Sequence, residues 1–148
     1  MMKGKILLVL SAALVSVALS AFLGRLALSI TPFGRMMTEM RSDSSSAGRR
    51  RIENRYVDLL DATNRMLRLT TFVLDPVAAV ITGFLIGLTG TKSPAVIAGF
   101  AILPLAVFSA SSYPWMWGGL SGGLLDVFGA AVAASLTSAY VTRAHPRS

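Results

Sequence analysis

Long uncharged runs separated by short polar ones set the layout of this chain. Ile6 to Leu23 carries no charge and is preceded by Lys3 and Lys5. Further apolar runs cover Leu69 to Gly90, Pro94 to Ala110 and Gly118 to Val141. The last holds 24 residues, and at 1.5 Å per residue a helix of that length crosses a hydrocarbon core of about 30 Å. The pattern predicts an all-α integral membrane bundle of about four transmembrane helices, with a basic amphipathic helix in the first inter-helix loop. Its parts are a first helix over 1–31, a polar loop over 32–68, three spanning segments over 69–141 and a basic tail over 142–148.

The amino end supports two readings. A secretory signal peptide would use Lys3 and Lys5 as its basic region, Ile6 to Val17 as its apolar core and Ala18-Leu19-Ser20 as its cleavage site. An uncleaved helix would run from Lys5 to Ile30. Hydrophobicity continuing to Leu28 and a small-residue face of Ala12, Ser16, Ser20 and Gly24 favour the helix. Thr31-Pro32-Phe33-Gly34 is its stop, because proline lacks an N–H and disfavours a helical residue before it.

In the loop, Ser42 to Gly48 has linker composition. Arg49, Arg50 and Arg51 then open a helical pattern over 49–68, with Ile52, Tyr56, Leu59, Thr63, Met66 and Thr70 spaced by fours and threes. Such a helix binds a partner, lies at the membrane interface with Arg49, Arg50 and Arg51 at anionic lipid headgroups, or packs on its own bundle.

In the second spanning segment, Asp75-Pro76 reads as an N-cap and first-turn pair; the alternative is one helix kinked at Pro76 and continuous with the amphipathic one. Gly83 and Gly87 with Ala79 give a close-packing face. The turn around Lys92 lacks the glycine spacing of a phosphate-binding loop. Ser93-Pro94 begins the third segment, where Pro104 predicts a kink; this segment spans the bilayer or is re-entrant. Tyr113, Trp115 and Trp117 read as an interfacial aromatic belt. The fourth segment reads Gly118, Gly122, Asp126, Ala130, Ala134, Ser138 at every fourth position, and Gly119, Gly123, Ala131, Ser135 and Ala139 form a second small stripe beside the first.

Composition agrees with a membrane protein: 53% of residues are hydrophobic, 14% are charged, and mean hydropathy is +0.64. The absence of cysteine excludes disulfides, Cys-ligated metals and thiol catalysis. A net charge of +7 could suggest nucleic acid. Most of the arginines lie in the inter-helix segment, however, so lipid headgroups or an acidic partner are the better counter-charges, and no nucleic-acid motif is present. Positive charge near the helix ends is balanced, so it does not orient the protein.

The charges that matter most are the three inside apolar segments. Four spanning segments put the end of the first and the starts of the second and fourth on one side. Arg25 is five residues before Ile30, Asp75 six after Leu69 and Asp126 eight after Gly118, at depths of roughly 7 to 12 Å. An ionised group there needs a partner or water, so Arg25 is expected to pair with Asp75, leaving Asp126 for a proton, an ion or another subunit. Protease readings fail on composition: the glycines around Asp126 lack the Gly-x-Gly-Asp pattern, and Ser121 has only the distant tail residue His145 as a base. No catalytic residue, metal site or cofactor is predicted. The sequence points to a non-enzymatic multi-pass protein of the cell membrane, a subunit or accessory of a larger assembly with other subunits or copies of itself. The alternative is a small oligomeric channel or ion-coupled transporter using Asp126.

Overall fold

The computed structural model describes residues 2–42, 45, 47–48, 50, 56–112 and 116–144, and among them every regular element is a helix. In chain order these are α1 (Met2–Ile30), α2 (Pro32–Ser42), α3 (Tyr56–Leu69), α4 (Asp75–Leu88), α5 (Pro94–Ser112) and α6 (Met116–Ala144); a π-helical turn, Thr70–Leu74, joins α3 to α4. Four stretches, Gly4–Ile30, Leu60–Leu88, Pro94–Ser111 and Gly118–Ala144, are long and apolar enough to cross a membrane. Large apolar side chains such as Leu14, Phe100, Phe108, Phe128 and Leu136 point outward all round the bundle. An aqueous surface does not tolerate that much contiguous apolar area, whereas lipid does.

Small residues decide how the helices meet. A Cβ added at Gly83 would fall on the backbone of Ala130, and one at Gly87 would come within 2.6 Å of Thr137 Cβ and 2.7 Å of the Ala134 carbonyl oxygen. Both numbers rise together, so α4 and α6 run parallel with their backbones in near contact. On the neighbouring stripe of α6, a Cβ at Gly119 would fall on Ala110 and one at Gly123 would lie 2.8 Å from the Ala106 carbonyl oxygen, which makes α5 antiparallel to α6. Backbones this close gain dispersion contacts that larger side chains would hold apart. α1 lies along α4 and α5 and makes no extended contact with α6. The four long helices therefore form a diamond with α4 and α5 across its middle.

Three local features bear on the sequence expectations. Pro32 ends α1 but also begins α2, since a fixed φ and a missing N–H suit a first helical position. α2 folds back so tightly that a Cβ at Gly34 would overlap the Leu28 carbonyl group. Asp75 is not an N-cap: it has helical dihedrals, and α3, the π turn and α4 are continuous. The π turn explains how. The Asp75 N–H bonds the Thr70 carbonyl, five residues back, and this wider turn makes room for the Pro76 ring that an α-helical turn would force against the preceding carbonyls. Finally, Pro104 stands inside α5 without dividing it. Gly90, at φ 66°, ends α4 in the left-handed region that glycine enters without steric penalty.

Candidate functional site

The centre of the diamond is polar. Ser20 from α1, Asp75 from α4, Ser109 from α5 and Asp126 from α6 are all buried there, with Asp75 1% and Asp126 0% exposed. Each long helix contributes one oxygen-bearing side chain. Ser20 Oγ donates a 2.6 Å hydrogen bond to Asp75 Oδ1. Ser109 Oγ lies beside the same carboxyl group but outside hydrogen-bond geometry, so it has no partner among the described residues. Both Asp126 oxygens are likewise unpartnered, and Asp126 is close enough to Asp75 for their charges to interact.

The surrounding helix geometry accounts for this meeting. Asp126 occupies the stripe of Gly122, Ala130 and Ala134 that α6 presses against α4, so it is buried because its neighbours are small. Asp75 immediately follows the π turn, and its side chain faces Ser20 across the antiparallel α1–α4 contact. One turn away, Thr71 packs on Gly122: an added Cβ there would meet Thr71 Cγ2, and would lie 3.3 Å from the Thr71 carbonyl oxygen and 3.5 Å from Ser109 Oγ.

Arg25 is not part of this cluster. Its side chain is exposed, and Asp75 takes its hydrogen bond from Ser20 instead. Depth alone suggested the pair, but Arg25 lies five residues beyond Ser20, which turns it about 140° around α1 and away from α4. Arg25→Gln is therefore expected to change thermal stability by no more than ~0.5 kcal/mol, the range of a surface substitution, when unfolding is followed in detergent. A loss of several kcal/mol would restore the ion pair.

The other sequence-predicted positions fall as follows. Gly83, Gly87, Ala130 and Ala134 line the α4–α6 contact, Gly122 packs on Thr71 of the π turn, and Gly118 is half-buried at the start of α6. Arg50 is exposed; Arg49, Arg51, Tyr113 and Trp115 lie outside the described residues, as does the side chain of Trp117. Ser109 and Thr71 carried no sequence signal as site residues: Ser109 sits among Ser111 and Ser112 like any polar helix end. Ser20 was visible only as a small residue on the α1 face.

Above the π turn, a cavity of about 300 Å³ opens between the end of α1, the start of α2 and the face of α3. Asp58, Asp61 and Arg65 line its polar part, and Met66 and Leu69 close it on the side of the π turn. Arg65, the cavity's polar lining residue nearest to Asp75 along the helix, stands about three helical turns before it. Comparison with protein-family models, curated proteins and solved structures returns no match, so the site's chemistry stands on these residues alone.

Proposed function

We propose that this chain is a small multi-pass protein of the cell membrane whose working part is the Asp75–Asp126 pair, a site that binds and releases protons or small cations in channel-like or ion-coupled transport. One observation carries the reading: two carboxyl groups, from parallel neighbouring helices, are buried together, and among the described residues no arginine or lysine lies against either. An ionised carboxylate at mid-membrane costs about 2.5 to 3.5 kcal/mol on insertion scales, and two close together repel as well. Such a pair is stable only with a positive companion, and a companion that can exchange is a cargo. Asp126 is the better exchange site, because no hydrogen bond from the described residues fixes either of its oxygens. The cavity beside α3 gives one side of the bundle a polar approach, with Met66 and Leu69 as its inner barrier.

A non-enzymatic role fits the same geometry. A pair of carboxyl groups acting as general acid and base on a peptide needs room for that substrate, and these two are buried among four helices, a setting that suits a small ion better than a peptide.

The subunit reading has a narrower basis than the sequence suggested. Most small stripes are consumed inside the chain, leaving Ser135 and Ala139 as exposed members of the second α6 stripe. That strip is where a partner helix or a second copy would pack, and Arg49, Arg50 and Arg51 are the counterpart for anionic lipid.

Reconstitution tests the transport reading. Liposomes containing the protein and a trapped pH-sensitive dye, with membrane potential clamped, are expected to lose an imposed proton gradient faster than empty liposomes. Equal decay in both, under sodium as well as proton gradients, would sink the proposal.

A further inference from the structure

Resting on that reading, we propose that the site binds a dehydrated monovalent metal cation of about sodium's size, held by oxygens of Asp75, Asp126, Ser109, Ser20 and the Thr71 backbone carbonyl. The donor set is the first argument. Among the described residues, the polar side chains buried in the cluster, those of Ser20, Asp75, Ser109 and Asp126, all present oxygen, which selects a hard cation over a transition metal. A carboxylate pair alone would not make a site. Ser109 adds the independent feature: a hydroxyl on a residue 1% exposed, beside the Asp75 carboxyl, with no hydrogen-bond partner among the described residues.

The π turn supplies the fifth donor. The i−5 register places the Asp75 N–H on the Thr70 carbonyl. The following acceptor in that register, the Thr71 carbonyl, faces Pro76, which has no hydrogen to give. That carbonyl lies on the Gly122 side of the turn, where Ser109 Oγ also lies, one helical turn before Asp126 on α6. Locally unwound helices whose carbonyls join carboxylates at mid-membrane are the usual means of binding an alkali cation there.

Charge and dehydration select the monovalent ion. The cost of removing an ion from water rises with the square of its charge, and magnesium in particular gives up its water reluctantly. One sodium with one proton neutralises both carboxylates. The same pair can also hold two protons, so sodium and protons compete.

The test uses the full-length protein purified in mild detergent in choline chloride, with sodium chloride replacing choline at constant ionic strength. Sodium is expected to raise the unfolding temperature saturably, by roughly 5 °C, and acidification should erase the difference. Ser109→Ala and Asp126→Asn should each remove the sodium shift, while Ser135→Ala, on the outer face of α6, keeps it. Bound radioactive sodium, measured on the unmodified protein, gives the same answer without any variant. Superimposable sodium and choline curves with no bound sodium overturn the inference; if proton flux in liposomes persists, the transport reading stands and only the cation is wrong, and if it is absent both fall. A larger shift with calcium than with sodium overturns the monovalent assignment.

Discussion

Asp126→Asn is expected to reduce ion flux through reconstituted vesicles to the level of empty liposomes while the helices remain assembled. Asparagine matches aspartate in size, so the packing of α6 on α4 at Ala130 and Ala134, and on the π turn at Gly122, is undisturbed. What disappears is the ability to take up and release a positive charge. The stability readout separates this from a scaffolding role. Neither Asp126 oxygen has a hydrogen bond to lose, and removing one of two neighbouring buried acids relieves their repulsion. In choline chloride, where no sodium occupies the site, thermal stability in detergent should therefore hold or rise as flux is lost. Were Asp126 retained only to fix helix register, the substitution would lower stability and leave flux as it was. Asp75→Asn should act differently: it alters the acceptor of the Ser20 hydrogen bond, so part of its effect should appear as weaker contact between α1 and the bundle.

Gly83→Val should be strongly destabilising. A Cβ at this position would coincide with the backbone of Ala130, and backbone cannot rotate aside as a side chain can, so α4 and α6 must separate. Overpacking typically costs 1–3 kcal/mol, and this contact is backbone against helix, so about 3 kcal/mol is expected by unfolding in mixed micelles. The propensity gained by replacing a helical glycine offsets at most about 1 kcal/mol. The matched comparison is Gly24→Ala on α1, where an added Cβ meets nothing within 4 Å; it should be neutral or stabilising by up to ~1 kcal/mol. Gly83→Val should also stop flux, because separating α4 from α6 pulls Asp75 away from Asp126. Equal stability of the two variants would mean that these helices do not depend on close approach.

Local chemistry was enough for much of the layout. Apolar runs of spanning length, bounded by Pro32, the Gly90 turn and Pro94, fix the number and order of the long helices, because burial in lipid requires each such run to satisfy its own backbone. The glycine stripe of α4 and the two stripes of α6 are likewise legible as close-packing faces, since spacing by four on a helix fixes which residues share a side. Partnership was not legible. Depth put Arg25 and Asp75 at comparable levels, but an ion pair needs the right azimuth around the helix too, and that depends on which face each neighbour presents. The π turn was hidden for a related reason: Pro76 announces a disturbance, while its resolution as an i−5 turn, an N-cap or a kink depends on what packs against it. Ser109, Thr71 and Ser20 looked ordinary along the chain and became a cluster only where four helices crossed. The sequence alone determined that two aspartates would be carried into the apolar interior. Only the tertiary structure decided that they face each other with hydroxyls for company, because helix rotation and antiparallel register are set by contacts far apart in the chain.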